Sequence, residues 1–225
     1  MIARAHITGL ILAGGRARRM RSGGLDVDKG LLGLDGIPLA AHAQRYLAPQ
    51  VGTLLFSANR HLEDYADYGR VLADDPALGS DLGPLAGVAS ALAVVSTPWL
   101  AVMPVDVLNL PQDMVARLAL AADGAGALIA YASTSDPARE VDSVPDGQGG
   151  SGREGRAHPL CMVLHASLAD GLRDYLRAGD RKVQLWQKRH GAVPVFFDGT
   201  GEAFFNINTP EDLRLADQAS QRARS

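Results

Sequence analysis

The stretch LILAGGRARRM, residues 10–20, joins the end of an apolar run to two adjacent glycines and then to arginines. The run from Ile7 to Leu12 has the length and composition of a buried strand. Gly14 and Gly15 lack a Cβ atom, so the backbone can take positive φ and a ligand can approach its N–H groups closely. The stretch therefore predicts a strand that leads into an anion-binding loop. A tight turn followed by a solvated basic face explains the same residues about equally well.

Positive charge is concentrated after the glycines. The arginines there are Arg16, Arg18, Arg19 and Arg21, and guanidinium groups suit a polyphosphate. Lys29, in the string Asp28-Lys29-Gly30, can fold back onto the same anion. The pattern is neither a Walker A loop, which needs Gly-Lys-Ser/Thr, nor G-x-G-x-x-G. Ordinary dinucleotide binding is therefore not predicted.

The rest of the chain alternates short apolar runs with longer helical patterns. The strand-length runs are Ile7–Leu12, Thr53–Ser57, Trp99–Pro104, Ala127–Ala132 and Leu160–Leu164. The helical patterns are Pro38–Leu47, Pro84–Val95, Pro111–Ala122, Ser167–Arg177 and Val183–His190. This alternation predicts a single α/β domain, a three-layer α/β/α sandwich with a mainly parallel sheet. Ligands of such sheets bind beyond the carboxyl ends of the strands.

Composition narrows the class of protein. The 225 residues are 47% hydrophobic and 21% charged, which is enough for a sizeable core. A net charge of -3 argues against a general nucleic-acid binder. Cys161 is the single cysteine among scattered histidines, which opposes both an intramolecular disulfide and a structural zinc site. Without a signal peptide or a long apolar run, we expect a cytoplasmic protein with no membrane partner.

Two polar segments interrupt the pattern. Residues 136–156 are rich in Gly, Ser, Pro and charge and lack hydrophobic periodicity, which predicts a flexible loop inside the domain. The tail from Gln218 to Ser225 is polar, and we expect it to be frayed.

The string LILAGGRARRM…DKGLLGLDGIPL resembles the signature of nucleotidyltransferases that activate small molecules with NTPs. It is most similar to the molybdenum cofactor guanylyltransferases, the MobA type, whose pattern is L-A-G-G-x-x-x-R-M, D-K and G-x-P-L. The stretch from Arg21 to Val27 is slightly longer than the usual spacer. The resemblance implies a Rossmann-like nucleotidyltransferase domain over residues 1–225, with a nucleotide-binding half at 1–110 and an acceptor-binding half at 111–217.

Asp106 ends the apolar run WLAVMPVD. An aspartate at the carboxyl end of a central strand is well placed to hold a divalent cation beside phosphates. A turn or N-cap aspartate is the alternative, since Leu108 to Pro111 follow at once. The resemblance implies that Asp106 binds Mg²⁺ and the nucleotide, although the family's usual P-C-D-x-P is here Pro104-Val105-Asp106-Val107-Leu108.

The resemblance also assigns a base-binding region. Asp75, in ADDPALGSDLGPLAG, matches the acid that accepts from guanine N1–H and N2–H₂, and Ser57 stands where the family has a base-contacting asparagine. The alternative for Asp75 is an acidic surface turn. Backbone groups of Leu12, Ala13, Gly14 and Gly15 complete the GTP contacts that the resemblance implies.

The string FFNINTPEDL contains Asn206 and Asn208, two residues apart and so on one face of a strand. Thr209 caps the helix that follows. In the family this string lies near the metal and the second substrate, and the resemblance places a polar histidine and a basic pair on the same side. The matching residues are His158, Arg181 and Lys182, for which a loop histidine and a solvated turn are the alternatives.

The resemblance implies transfer of GMP from GTP to the terminal phosphate of molybdenum-loaded molybdopterin. Arg19, Lys29 and Mg²⁺ on Asp106 would neutralise charge, and molybdoenzymes or their chaperones are candidate partners. Two alternatives stay open. One is a related nucleotidyltransferase, acting with CTP on molybdopterin or with an NTP on a sugar phosphate. The other is a non-catalytic nucleotide-binding protein that delivers the cofactor.

Overall fold

The structure, a computed structural model, describes residues 2–14, 28–79, 82–135, 155–197 and 203–223. In chain order the strands of the main sheet and of two short ladders are β1 (Ile7–Leu12), β2 (Gly33–Leu34), β3 (Ile37–Pro38), β4 (Thr53–Ser57), β5 (Arg70–Leu72), β6 (Trp99–Pro104), β7 (Val107–Leu108), β8 (Ile129–Ser135), β9 (Gly155–His165), β10 (Val193–Phe196) and β11 (Phe205–Asn206). The main sheet has seven strands in the order β10-β8-β9-β6-β1-β4-β5, while β2–β3 and β7–β11 form the two-stranded ladders.

Helices cover both faces of the main sheet. They are α1 (Leu39–Leu47), α2 (Leu62–Ala66), α3 (Pro84–Leu92), α4 (Met114–Ala125), α5 (Ala169–Arg177), α6 (Val183–Arg189) and α7 (Pro210–Ala223). Helices α1 and α4 pack in one core with Ile11, Phe56 and Met103. Helices α3, α5 and α6 pack in a second core with Leu10 and Val102. The predicted three-layer α/β/α sandwich is confirmed.

The predicted mainly parallel sheet is also confirmed. Strand β9 runs antiparallel to its neighbours β6 and β8, and the other pairs of the main sheet are parallel. The predicted bounds Ile7–Leu12, Thr53–Ser57 and Trp99–Pro104 match the structure residue for residue. These strands are buried along most of their length, so their sequences are nearly continuous apolar runs.

The predicted bounds of two later strands were wrong. The run predicted as Ala127–Ala132 is a strand over Ile129–Ser135, and the run predicted as Leu160–Leu164 extends over Gly155–His165. The added residues are mostly polar, and they pair through their backbones, Ser135 with Gly155 for example. Because this ladder does not need apolar side chains, hydrophobic runs underestimate it. Residues 155–156 of the predicted loop therefore belong to β9, while 136–154 lie outside the described residues.

The C-terminal tail is helical as far as Ala223 and not frayed from Gln218 as expected. The β2–β3 turn holds it, because Asp35 N–H donates to the Asp217 carboxylate at 2.7 Å and the Ser220 hydroxyl donates to the Asp35 carboxylate. Elsewhere the predicted helices begin or end a few residues from their predicted limits, as where α4 begins at Met114 and α3 ends at Leu92. No described helix is long and apolar enough to cross a bilayer.

Candidate functional site

The carboxyl ends of β1, β4, β5 and β6 meet at one edge of the sheet. Ala13 N–H donates to the Ser57 carbonyl at 2.8 Å, and Val105 N–H donates to the Leu12 carbonyl at 3.0 Å. These bonds continue the strand pairing by one residue, so the predicted loop residue Gly14 and the predicted ligand Asp106 both follow directly from paired strands. This edge is where ligands of parallel sheets bind.

Lys29, Asp106 and Asn208, here called the phosphate-side cluster, come together from three distant parts of the chain. Lys29 Nζ donates to Asp106 Oδ2 and to Asn208 Oδ1, the second at 3.1 Å. The side chains of Lys29 and Asp106 are only 13% and 19% exposed. Because the pair is mostly shielded from solvent, salt screens it less than a surface ion pair. An ammonium and a carboxylate therefore lie paired beside the strand ends.

Local structure places Asn208 in this cluster. The β7–β11 ladder pairs Asn206 with Val107, and Ile207 N–H donates to the Asp106 carbonyl at 2.9 Å. Beyond it, Asp212 accepts from the N–H groups of Asn208 and Thr209, both at 2.8 Å. The Asn208 N–H lowers the pKa of the Asp212 carboxyl more than any other group does. The T-P-E-D-L string therefore caps α7 and also fixes the segment that presents Asn208.

Asn206 is bonded locally. Its Nδ2 donates to the Phe204 carbonyl at 3.3 Å, and its side chain is half-buried. Asn206 and Asn208 are thus neighbours of Asp106 through one ladder, as their spacing suggested, but Asn208 alone of the two bonds to Lys29 among the described contacts.

Asn59 lies near Gly14 and is bonded to Asp74, although neither Asn59 nor Asp74 is among the predicted site residues. A Cβ on Gly14 would lie 3.6 Å from Asn59 N and 3.7 Å from Asn59 Nδ2. Asn59 and Asp74 exchange two hydrogen bonds, Nδ2 to Oδ2 at 2.7 Å and Asp74 N–H to Oδ1 at 2.8 Å. Asp74 follows the last residue of β5, Leu72, by two, but β5 is not among the predicted strands, so no predicted strand end marked Asp74 in advance.

Asp75 is engaged in several contacts. Arg173 Nη2 on α5 donates to Asp75 Oδ2 at 3.0 Å, and Ala77 N–H donates to Oδ1 at 2.9 Å. Ser57, the other predicted base contact, is buried at the end of β4. A Cβ on Gly87 would overlap the Ser57 hydroxyl, so Gly87 lets α3 approach the strand end this closely.

His158 is buried in β9. Its ring stacks on Phe204 with centroids 4.4 Å apart and 17° between planes, and Nε2 lies 3.1 Å from Thr134 Oγ1. Burial, and to a smaller extent the charge of Arg156, lowers the pKa of His158 to about 4. His158 is therefore neutral at pH 7. Phe204 was not predicted, and its positive φ of 58° is not visible in the sequence.

The basic pair is placed at a helix junction. Arg181 Nη1 donates to the carbonyls of Leu176 and Asp180, both at 2.7 Å, which satisfies the end of α5. The Lys182 side chain is exposed, and its carbonyl accepts from the Tyr175 hydroxyl at 2.9 Å. The structure thus gives Arg181 a capping role and leaves Lys182 open to solvent. Gly15 and Arg19 lie outside the described residues.

The donor set of the phosphate-side cluster fits a hard divalent cation. Asp106 supplies a carboxylate and Asn208 an amide oxygen, and oxygen ligands of this kind suit Mg²⁺. Within the described ranges, no three His, Cys, Asp or Glu residues form a metal-binding group. Mg²⁺ is commonly bound by one or two protein oxygens together with substrate phosphates.

A separate cavity of about 1030 Å³ lies against α1, α7 and the β7–β11 ladder. Met103, Phe197 and Phe205 are among its apolar lining residues, and Asp35 and His42 are among its polar ones. It shares no residue with the predicted site.

Comparison with known proteins identifies the family. The model of the MobA-like NTP transferase domain matches residues 9–193. A molybdenum cofactor guanylyltransferase from Ralstonia nicotianae is 44% identical over 95% of this chain and 97% of its own length. Another from Acidovorax ebreus is 39% identical over 99% of this chain and all of its own.

Solved structures share the fold. The molybdopterin-guanine dinucleotide biosynthesis protein A from Archaeoglobus fulgidus superposes with a TM-score of 0.71 at 21% identity, covering 96% of this chain and 99% of its own. A CMP:2-keto-3-deoxy-manno-octonic acid synthetase complexed with CTP has the same TM-score at 13% identity and the same coverage. With the family model and the relatives above 30% identity, these findings establish that the chain belongs to the MobA-like NTP transferase family and is a nucleotidyltransferase.

Proposed function

We propose that the chain transfers GMP from GTP to the terminal phosphate of molybdenum-loaded molybdopterin, releasing pyrophosphate and forming the guanine dinucleotide cofactor. The relatives named molybdenum cofactor guanylyltransferase support the substrates. The phosphate-side cluster is the single observation that supports the chemistry, because it holds a cation and an anion together where phosphates of a nucleotide would approach.

The reaction needs no protein nucleophile. An oxygen of the acceptor phosphate forms a bond to the α-phosphorus of GTP, and the bond from that phosphorus to the α–β bridging oxygen breaks. The phosphate monoester is already anionic, so no proton has to be removed from a protein group. Cys161, whose thiol is fully buried and whose pKa burial raises, is a core residue and takes no part.

The protein's task is therefore to position and neutralise the reacting phosphates. We assign Lys29 to the triphosphate, where its ammonium exchanges part of its contact with Asp106 for phosphate oxygens. Arg19 and the N–H groups of Gly14 and Gly15 are assigned to the same phosphates. Leu12 and Ala13 lead the backbone to this loop.

Nucleotidyltransferases typically use a divalent metal, and we propose Mg²⁺ here. Asp106 would hold it, with the Asn208 amide oxygen beside it. When bound, the cation would neutralise phosphate charge and polarise the α-phosphate. Lys29 would then carry less of the opposing charge of Asp106 and bind phosphate more fully.

For the base, Asp75 and Ser57 remain our proposal, with Asp75 accepting from guanine N1–H and N2–H₂. The Arg173 and Ala77 contacts of Asp75 leave less of its carboxylate for a ligand. Asp74 is the second candidate, because Asn59 holds it beside Gly14 at the strand ends. Backbone groups near Gly14 would supply the remaining contacts.

On the acceptor side we assign Asn206, Asn208 and neutral His158 to orient the molybdopterin phosphate and pterin. Lys182, which is exposed, is the better candidate of the basic pair for an anionic group. Arg181 would have to leave its carbonyl contacts to act there. Cytoplasmic molybdoenzymes or their chaperones are the proposed recipients of the product.

A turnover assay tests this function. Pyrophosphate release is measured with molybdenum-loaded molybdopterin, Mg²⁺ and GTP, and in parallel with CTP or ATP. Turnover with GTP above the other nucleotides is expected. Preference for CTP would indicate the cytidylyltransferase alternative, and nucleotide binding without pyrophosphate release would indicate a delivery protein.

A further inference from the structure

Asp28, the residue before Lys29, is a buried carboxylate that is only 5% exposed. Burying a charge is unfavourable unless other groups compensate it. The Tyr65 hydroxyl donates to Asp28 Oδ1, Gly30 N–H donates to the same oxygen at 3.2 Å, and Arg60 Nη2 lies 3.8 Å from Oδ2. The carboxylate is therefore held from both sides.

These contacts determine the backbone at Lys29. Asp28 is the N-cap of the 3-10 turn Lys29–Leu31, with its side chain bonded to Gly30 N–H. Tyr65 is fully buried on α2 and packs on Phe56 of β4, with ring centroids 6.0 Å apart. The turn is thus tied through Asp28 to the same β-strand whose carboxyl end borders the nucleotide site.

Gly30 allows the 3-10 turn to approach Tyr65 closely. A Cβ at this position would overlap the Tyr65 hydroxyl. Any side chain there would displace either the turn or the tyrosine that bonds Asp28. The Asp-Lys-Gly string therefore has a use for each residue, and only the lysine side chain points to Asp106 and Asn208.

We propose that Asp28, Tyr65 and Arg60, here called the Asp28 anchor, are positioning residues that hold Lys29 in the orientation in which it binds the triphosphate. The proposal rests on the assignment of Lys29 to phosphate. Asp28 and Tyr65 are buried, so they act through Lys29 and not on the substrate. The anchor acts by keeping the Lys29 backbone fixed while its long side chain, rich in rotamers, enters the site.

The test is the ratio of GTP affinity to guanosine affinity, measured by calorimetry with Mg²⁺ and without acceptor. Tyr65→Phe removes one hydroxyl from the anchor, and Tyr46→Phe is the matched control. Tyr46 likewise donates its hydroxyl, in its case to the Pro111 carbonyl at 2.6 Å, and it has no part in the Asp28 anchor. We expect Tyr65→Phe to lower the ratio by about fivefold through loss of GTP affinity, and Tyr46→Phe to leave it unchanged.

The double variant shows whether the effect passes through Lys29. If it does, Tyr65→Phe lowers the ratio no further once Lys29→Ala is present. An equal further loss in that background, or an unchanged ratio in Tyr65→Phe alone, would overturn the positioning role. If Lys29→Ala itself leaves the ratio unchanged, the phosphate assignment fails and the anchor has nothing to position.

Asp28→Asn is a second variant that tests the proposal if Tyr65→Phe folds poorly. Asp28→Asn keeps the shape and one acceptor oxygen but removes the charge that faces Arg60. A lowered ratio is again expected, but a smaller fall than in Tyr65→Phe, because the remaining amide oxygen can still accept from Tyr65 and Gly30. A loss of thermal stability with an unchanged ratio would mean that Asp28 only stabilises the fold, and the proposal would be wrong.

Discussion

The phosphate-side cluster and the surroundings of His158 differ in the charge that they hold: the first contains an ion pair, and the second contains a neutral imidazole. In the first, Lys29 and Asp106 are opposite charges that are mostly shielded from water and compensate each other. In the second, His158 lies against Phe204 and is kept neutral by burial. In the phosphate-side cluster, a charged ligand can replace one partner of the Lys29–Asp106 ion pair. Around His158, burial disfavours protonation of the imidazole. The two regions should therefore respond differently to substitution and to pH.

The largest effect is expected at Asp106. Asp106→Asn keeps the size of the side chain but removes the charge assigned to the cation, so Mg²⁺-dependent turnover should fall by roughly 100-fold or more. Steady-state pyrophosphate release measures it. Asp113→Asn, an exposed aspartate before α4 with no side-chain capping bond, is the control and should keep full activity. Near-normal turnover in folded Asp106→Asn protein would refute the metal assignment.

Lys29 tests the other half of the ion pair. Lys29→Ala should lower the affinity for GTP by at least about tenfold and the affinity for guanosine very little. The reason is that the ammonium makes a charge-assisted bond to phosphate, which guanosine lacks. Titration of both ligands measures it, with exposed Lys188→Ala on α6 as the control. Equal weakening of GTP and guanosine would place Lys29 at the base or show that the substitution disturbs the whole site.

How far the sequence predicted these regions follows from what holds each one together. Strands β1, β4 and β6 are buried between two helical layers, so their bounds appear as apolar runs between turn residues. Lys29, Asp106 and Asn208 belong to motifs whose resemblance to the family marked them in advance. The resemblance also marked His158, but not its partner.

The remainder depends on long-range packing. Phe204, which takes positive φ, stacks on His158, and the register of β8 with β9 shifts between the pairs Tyr131–Met162 and Ala132–His158. The Arg173 contact with Asp75 joins residues 98 apart. Neither feature has a local pattern, because side-chain partners across layers are chosen by the assembled fold.

Base recognition gives the next effect, and it separates two neighbouring acids. If Asp75 accepts from guanine, Asp75→Ala should lower the preference for GTP over ATP by at least about tenfold, or about 1.4 kcal/mol. Asp74→Ala is the paired variant, since Asp74 lies beside Gly14 through Asn59. The ratio of kcat/KM for the two nucleotides measures both. If the ratio is unchanged in Asp75→Ala and lowered in Asp74→Ala, Asp74 and not Asp75 contacts the base.

The smallest effect concerns His158 and appears in stability. The pKa of His158 is lowered to about 4 in the folded protein, against about 6.5 when the chain is unfolded. Between these values the unfolded state binds more protons, so folding stability is full above pH 6.5 and is lost as pH falls toward 4.

His158→Gln can keep the hydrogen bond to Thr134 without titrating. From pH 7 to pH 5.5 the wild-type free energy of unfolding should therefore fall by about 1 kcal/mol more than that of His158→Gln. Urea unfolding at both pH values measures the difference, and because all other groups titrate in both proteins, they cancel. Equal falls in the two proteins would mean that His158 takes up its proton in the folded state as readily as in the unfolded one. The neutral, aromatic character assigned to the acceptor side would then be wrong.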